Sequence, residues 1–231
     1  NKYLSQLDDK LVNEAYRKYS AYFLNPQIQE NIRDSKEEQF QEGFLRELFV
    51  NILGYTINPT PGYDLTTELK NEKGAKKADG AIMKDGKAIA VIELKGTDTI
   101  DLDKVTNQAF NYKNNQSSCV YVVTSNFEKL RLYINDSINF EEFHLFTLSA
   151  ERFKLLWLCL SKDSIFKNIP LKIKEESSVA EENITKKLYK DYSAFRNALW
   201  SNMVKQNTKF NKLLLFKKTQ KLLDRFLFIF F

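Results

Sequence analysis

Residues 77–95 read KADGAIMKDGKAIAVIELK and contain two apolar runs separated by Asp85-Gly86. An Asp-Gly pair between two such runs is typical of a hairpin turn, so the spacing predicts strands at 78–83 and 88–94. The second run is apolar without interruption from residue 88 to residue 92, which is typical of a strand buried on both faces. This stretch therefore predicts a β-hairpin whose second strand lies in the middle of a sheet.

The sequence on both sides of the hairpin predicts an α/β fold. Short runs rich in β-branched and aromatic residues predict further strands at 65–69, 119–124, 130–134 and 143–148. Residues 101–114 have helical periodicity and lie between the third and fourth predicted strands, which is the pattern of a crossover connection between parallel strands. We therefore expect a mixed central sheet flanked by helices.

Helices are also predicted before and after the sheet. Leu4, Leu7, Leu11 and Ala15 recur at helical spacing near the start of the chain. Ser35-Lys36-Glu37-Glu38 has the form of a capping box that begins a second amphipathic stretch, and Gly54 ends that stretch. Helical periodicity returns at residue 150 and continues to the end, with a predicted interruption in the charged stretch 172–182.

Composition restricts the chemistry that the chain can perform. It has 231 residues, 43% of them hydrophobic, with one histidine and two cysteines. A His/Cys zinc site and Ser–His catalysis therefore have almost no residues to use, and catalysis would rely on carboxylates and lysines. The two cysteines are far apart, and no signal peptide or apolar run of about 20 residues is present, which predicts a cytoplasmic protein that does not enter a membrane.

The net charge of +5 is unevenly distributed along the chain. Residues 200–231 contain seven basic residues and a single acidic one, Asp224, while the rest is close to neutral. A basic region of this kind is compatible with nucleic-acid binding and equally with a solvated helix face. Residues 226–231 are all apolar, which predicts a partner surface or a longer chain, with docking on the chain's own core as the alternative.

Five acid-x-Lys triplets occur in the chain, and sequence context separates one of them from the rest. Glu93-Leu94-Lys95 ends the predicted central strand, where a carboxylate and an ammonium group are costly to bury unless they reach a cleft or a metal. Residues two apart on a strand share a face, so Glu93 and Lys95 point in the same direction. Asp79 lies 14 residues upstream, on the partner strand of the hairpin.

These three side chains suit the hydrolysis of a phosphodiester. The carboxylates of Asp79 and Glu93 can hold Mg²⁺, which prefers oxygen ligands and lowers the pKa of a water that it binds. Lys95 beside the metal can orient or deprotonate that water and stabilise the transition state. The alternative is an ion pair on the surface of a hairpin.

A shared metal sets a condition on the register of the hairpin. A two-residue turn with regular pairing would place Asp79 opposite Ile92, on the other face of the sheet from Glu93. A three-residue loop or a single β-bulge would instead pair Asp79 with Glu93. We predict the register that brings Asp79 and Glu93 together.

The motif resembles that of a known nuclease superfamily. Asp79, Glu93-x-Lys95 and the element Gln108-Ala-Phe-Asn-Tyr112 together resemble the PD-(D/E)xK nucleases. The Gln-x3-Tyr element is similar to that of type I, type IIG and RecB-like enzymes. The proline that usually precedes the aspartate is replaced by Ala78. The resemblance implies a restriction-endonuclease-like core and catalysis by Asp79, Glu93 and Lys95.

Further segments resemble type IIG (type IIS-like) restriction–modification enzymes. They lie at 42–55, 150–157, 185–192 and 219–226, and in those enzymes the last one leads into a methyltransferase. The sequence contains neither Asn-Pro-Pro-Tyr nor a glycine-rich loop for S-adenosylmethionine. The resemblance implies an N-terminal helical segment (1–34), a nuclease core (35–150) and a helical connector (151–231) that leads towards a missing methyltransferase half.

The resemblance also implies ligands and partners. The metal ligands would be Asp79, Glu93, the Leu94 carbonyl and Glu47, and the DNA-binding residues would be Gln108, Tyr112, Lys76 and Lys77. Ordinary structural roles remain open for Glu47 at the edge of a helix, for Tyr112 in packing and for the two lysines in a solvated loop. The implied cofactor is Mg²⁺, with S-adenosylmethionine only through the missing half. The implied partners are double-stranded DNA and a methyltransferase or specificity region.

Two other functions are compatible with the sequence. One is a different nuclease with the same core, such as a repair or transposon enzyme. The other is a non-catalytic scaffold that docks a partner through its apolar C-terminal helix. In a scaffold, Asp79, Glu93 and Lys95 would be spread over the surface and would not converge.

Overall fold

The computed structural model describes residues 2–70 and 77–230, without the side chain of residue 230. The chain divides into two compact units, Asn1–Ile173 and Lys174–Phe231. The first unit contains the sheet and its helices, and the second is helical. The two units are described separately below.

A six-stranded mixed sheet forms the centre of the first unit. Its strands follow the order of the sequence and are β1 (Leu65–Lys70), β2 (Lys77–Lys84), β3 (Lys87–Leu94), β4 (Tyr121–Ser125), β5 (Lys129–Ile134) and β6 (Phe140–His144). Only β3 and β4 pair in parallel, and the other neighbours are antiparallel. The predicted α/β class is confirmed, although β6 begins three residues earlier than expected.

The helices of the first unit precede, cross over and follow the sheet. They are α1 (Asp9–Phe23), α2 (Pro26–Asp34), α3 (Glu37–Phe44), a π-helix (Leu45–Ile52), α4 (Asp103–Asn114), α5 (Ala150–Leu160) and α6 (Lys162–Phe166), with short 3-10 turns at Leu4–Gln6 and Leu145–Thr147. Because α4 joins the parallel strands β3 and β4, the predicted crossover unit is confirmed.

Two hydrophobic cores cover the two faces of the sheet. In the larger core, α1, the π-helix and α5 pack with residues such as Ile92 and Leu94 of β3. In the smaller core, α4 packs on Val91 and Val122. Since side chains alternate along a strand, Glu93 shares the face of Val91, on which α4 lies. The central strand is therefore covered on both sides, as its apolar sequence predicted.

Three details of the predicted helices are corrected by the structure. Asp8 caps α1, and the buried face of this helix is Val12, Ala15, Tyr19 and Phe23, whereas Leu11 is exposed. The predicted cap at Ser35 is also wrong, because the Ser35 hydroxyl donates to the Asn31 carbonyl. Gln39 instead accepts a hydrogen bond from the backbone N–H of Lys36, directly before α3.

The second unit is built from two helices. The helix α7 (Ile169–Gln206) runs without a break through 172–182, so the predicted interruption there is wrong. The chain leaves the helix only at 207–211, and α8 (Lys212–Phe230) follows. Lysine and glutamate are good helix formers, so the charged composition of 172–182 is compatible with an unbroken helix. Near the end of α8, Phe228 and Ile229 are 89% and 71% exposed.

None of the helices in the described ranges is long and apolar enough to cross a membrane.

Candidate active site

The β2–β3 hairpin has the register that a shared site requires. Its turn consists of two residues, Asp85 and Gly86, which both have a positive φ (51° and 75°). Next to the turn, the pairing is regular, with Lys84 opposite Lys87. The local Asp-Gly turn was therefore predicted correctly. With regular pairing throughout, this turn would place Asp79 and Glu93 on opposite faces of the sheet.

A β-bulge then shifts the register by one residue. Met83 pairs with Ala88, but Ile82 pairs with Ala90, so Ile89 is the extra residue on β3. Beyond the bulge, Gly80 pairs with Ile92. One further step along the ladder places Asp79 opposite Glu93, and opposite residues share a face of the sheet. The predicted odd register is confirmed, and a bulge produces it.

Asp79 is bound to the end of the central strand. Its Oδ2 accepts a hydrogen bond of 2.7 Å from the backbone N–H of Leu94. Burial raises the pKa of Asp79, while the hydrogen bond from Leu94 and the charge of Lys95 act in the opposite direction. The Asp79 carboxylate is thus fixed beside Glu93-Leu94-Lys95 in a partly desolvated position.

Glu93 is a buried carboxylate, and one of its two oxygens has no hydrogen-bond partner among the described residues. Its side chain is 1% exposed, and Oε1 accepts hydrogen bonds from Lys95 Nζ (3.2 Å) and from Gln108 Nε2. Oε2 is buried and has no hydrogen-bond partner among the described residues. Burial and the charge of Asp79 raise the pKa of Glu93 to about 7. A cation at Oε2 would relieve both costs.

Lys95 lies among three acidic side chains, Asp79, Glu93 and Glu37, which together are called the acidic group. Its Nζ donates to Glu93 Oε1 (3.2 Å), to Glu37 Oε1 (3.2 Å) and to the Leu94 carbonyl oxygen (2.8 Å). Burial lowers the pKa of Lys95, but the charges of Glu93, Asp79 and Glu37 outweigh it, so the pKa is raised. Lys95 is therefore an ammonium group at neutral pH.

Glu37 is the site residue that the sequence did not single out. It is the first residue of α3, and its Oε2 accepts a hydrogen bond of 3.3 Å from the backbone N–H of Gly96. Together with the bond to Lys95, this contact fastens the start of α3 to the end of β3. The only sequence signal was the capping pattern around Glu37, which indicates a helix start and no chemistry.

The structure does not bring Glu47 to this group. Glu47 accepts a hydrogen bond of 3.0 Å from Asn51 and lines a surface cleft with Lys18 and Val50. The predicted direction of the Glu47 side chain assumed a regular α-helix. Residues 45–52 instead form a π-helix, at the end of which the Leu53 N–H donates to the Leu48 carbonyl five residues back. The wider turn changes the direction of each side chain, so the expected helical angle does not apply.

Gln108 and Tyr112 lie beside the carboxylates, as the i, i+4 spacing on α4 allows. Gln108 Nε2 donates to Glu93 and also to the Tyr112 hydroxyl, at 3.1 Å. Tyr112 is itself buried in the smaller core. Lys77 lines a cleft with Gln108, Asn111 and Tyr112, and it forms an ion pair with Glu68. The predicted contact Lys76 lies outside the described residues.

The donor atoms at the site are oxygens. In the part of the chain that the structure describes, no group of three or more His, Cys, Asp or Glu side chains is arranged to hold a metal. Two carboxylates, Asp79 and Glu93, and the Leu94 carbonyl are available. This set suits Mg²⁺, which is commonly held by one or two carboxylates and keeps several of its waters.

No protein-family model, no curated protein and no solved structure matches the chain. The function must therefore be argued from the site itself.

Proposed function

We propose that the chain is a Mg²⁺-dependent endonuclease of the PD-(D/E)xK superfamily that hydrolyses phosphodiester bonds of double-stranded DNA. In this proposal it is the cleavage part of a restriction–modification enzyme. The observation that carries the proposal is the bulged hairpin, which sets Asp79 opposite Glu93 at the end of the central strand. A surface ion pair would need neither the bulge nor a carboxylate that is 1% exposed.

Asp79, Glu93 and the Leu94 carbonyl would hold the cation. The buried Oε2 of Glu93, which has no partner among the described residues, supports this assignment. Excess negative charge supports it as well, because the charges of Glu93, Asp79 and Glu37 all act on the ammonium group of Lys95. A bound Mg²⁺ would act as a Lewis acid, polarising a phosphoryl oxygen and making water more acidic.

Lys95 would stabilise negative charge on the phosphate during hydrolysis. Its raised pKa keeps the proton on Nζ, so orienting water and stabilising charge are favoured over removing a proton. Hydrogen bonds to Glu93, Glu37 and the Leu94 carbonyl fix the position of this ammonium group in advance. Such preorganisation is what electrostatic catalysis needs.

The DNA backbone would lie along the cleft beside α4. Lys77, Gln108 and Tyr112 line this cleft, and Gln108 connects it to Glu93. Side-chain amides, hydroxyls and lysines are common phosphate contacts that position DNA without reading its sequence. Lys76 stays a predicted contact of the same kind. Target selection would then belong to a methyltransferase or specificity region, which would also bind any S-adenosylmethionine.

The second unit would serve as the connector to that region. Its exposed apolar residues include Leu188, Phe195, Phe226 and Phe228, and contiguous apolar surface normally marks a contact with a partner. The convergence of Asp79, Glu93 and Lys95 supports an enzyme over a scaffold. No feature of the described residues favours a repair or transposon nuclease over a restriction enzyme.

Plasmid nicking tests the proposal. The wild-type chain with Mg²⁺ is expected to nick supercoiled plasmid, and Asp79→Asn is expected to lower the rate at least about a hundredfold, since even outer-shell changes at metal sites cost 10–100-fold. Asp85→Asn is the matched control, because Asp85 lies in the exposed turn of the same hairpin. Equal nicking by Asp79→Asn and Asp85→Asn would contradict the proposal.

A further inference from the structure

Strand β1 carries an unusual residue where it passes the candidate active site. Thr67 pairs with Gly80 and Leu69 pairs with Ala78, so Glu68 lies opposite Asp79. Glu68 has a φ of 57°, in the left-handed region that is unfavourable for a residue other than glycine. An outlier of this kind in the middle of a strand suggests a functional constraint.

The Glu68 side chain holds a lysine of the proposed DNA cleft. Its Oε2 lies 2.7 Å from Lys77 Nζ, and both side chains are accessible to solvent. Lys77 lines the cleft with Gln108, whose side chain reaches Glu93. The negative charge of Glu68 also acts on Asp79 itself. Glu68 therefore already pairs with the ammonium group to which an approaching phosphate would bind.

We propose that Glu68 competes with a DNA phosphate for Lys77 and thereby weakens the binding of DNA at the cleft. The inference rests on the proposed function and adds a residue that regulates the same site. A free lysine binds any phosphate as a point charge, regardless of sequence. A carboxylate paired with that lysine neutralises its charge and repels the phosphate. DNA therefore binds only when other contacts offset the loss of the Glu68–Lys77 ion pair.

Competition between Glu68 and phosphate for Lys77 predicts non-additive effects on DNA binding, which a simple surface ion pair would not produce. Exposed ion pairs contribute little to stability, so Glu68→Gln should leave the fold intact. With Glu68 present, loss of Lys77 removes a cation that is already neutralised. With Glu68 replaced, loss of Lys77 removes a full phosphate contact. The effects of the two substitutions on DNA binding should therefore not add.

A double-mutant cycle tests this. The affinity of the wild type, Glu68→Gln, Lys77→Met and the double variant for a short DNA duplex is measured by fluorescence anisotropy in EDTA at several salt concentrations. Glu68→Gln is expected to bind about three- to tenfold more tightly at low salt, with a salt slope steeper by about 1. At about 0.15 M salt, which screens the repulsion by the unpaired Glu68 carboxylate, Lys77→Met should change the wild type less than about twofold but weaken Glu68→Gln about three- to tenfold.

The control variant is Glu42→Gln, which removes the carboxylate of another exposed ion pair, that with Arg46. It should leave the affinity unchanged. Additive effects of Glu68→Gln and Lys77→Met, or an unchanged affinity of Glu68→Gln, would overturn this inference while leaving the proposed function standing. Absence of DNA binding by all four proteins of the cycle would overturn both.

Discussion

The two units of the chain depart from the usual distribution of polar and apolar residues in opposite directions. The first unit buries a carboxylate, Glu93, at 1% exposure, whereas the second unit exposes Phe228 and Ile229 at 89% and 71%. A buried carboxylate is costly unless it serves a cleft or a cation, and an exposed apolar patch is costly unless a partner covers it. In the proposed function, catalysis would belong to the first unit and partner contact to the second.

The largest difference is expected in the free energy of unfolding, between variants of a buried isoleucine in the first unit and an exposed isoleucine in the second. Ile92 is 0% exposed and Ile229 is 71% exposed, so the same substitution can be made in both. Ile92→Ala should lower the free energy of unfolding by about 2–5 kcal/mol, and Ile229→Ala should change it by less than about 0.5 kcal/mol. Urea unfolding measures both values. Similar losses in the two variants would mean that the end of α8 is part of a core.

A second pair of variants tests which glutamates of the first unit belong to the acidic group. Glu37→Gln removes a carboxylate that contacts Lys95, and we expect the rate of plasmid nicking to fall about 10–100-fold. Glu47→Gln changes a glutamate that contacts Asn51, and the rate should stay within about twofold. The opposite ranking would restore Glu47 to the site and remove Glu37 from it.

The buried carboxylate should also make stability depend on pH. Because the pKa of Glu93 in the folded chain is raised to about 7, the folded state holds a proton that the unfolded state releases near 4.5. Stability in EDTA should therefore fall as the pH rises from about 5 to 8, by on the order of 1–3 kcal/mol from this group. Urea unfolding of Glu93→Gln should show a weaker fall, and an equal fall in both proteins would exclude Glu93 as the cause.

The smallest expected effect concerns Thr124, the β4 residue that pairs with Glu93. Its hydroxyl is buried without a hydrogen-bond partner among the described residues. Thr124→Val should raise the free energy of unfolding by up to about 1 kcal/mol, because an unbonded buried hydroxyl is unfavourable. Thr106→Val is the control, since the Thr106 hydroxyl bonds to the Leu102 carbonyl and to Tyr133. This control should lose about 1 kcal/mol, and a loss of similar size in Thr124→Val would show that the Thr124 hydroxyl has a partner.

Local sequence patterns were sufficient to predict much of the first unit. Strands have a period of two and an Asp-Gly turn has a strong signature, so the hairpin and the common face of Glu93 and Lys95 could be read directly. The bulge at Ile89 has no sequence signature of its own. The odd register, from either a three-residue loop or a bulge, was predicted only from the requirement that Asp79 and Glu93 share a cation.

The residues that were misplaced depend on packing or on irregular backbone. Glu37 reaches Lys95 only because α3 packs against the end of β3, a contact across 58 positions of sequence. Glu47 was misdirected because a π-helix replaces the regular helix on which its direction was calculated. Neither the long-range contact of Glu37 nor the π-helix around Glu47 has a signature in the adjacent residues.

Calorimetric titration with Mn²⁺ tests the claim that Asp79 and Glu93 together hold a divalent cation. We predict that the wild type and Asp85→Asn bind Mn²⁺ with the same affinity. Asp79→Asn and Glu93→Gln should each lose at least about a hundredfold in affinity, because each removes a charged oxygen ligand. Unchanged Mn²⁺ binding in both Asp79→Asn and Glu93→Gln would contradict the claim.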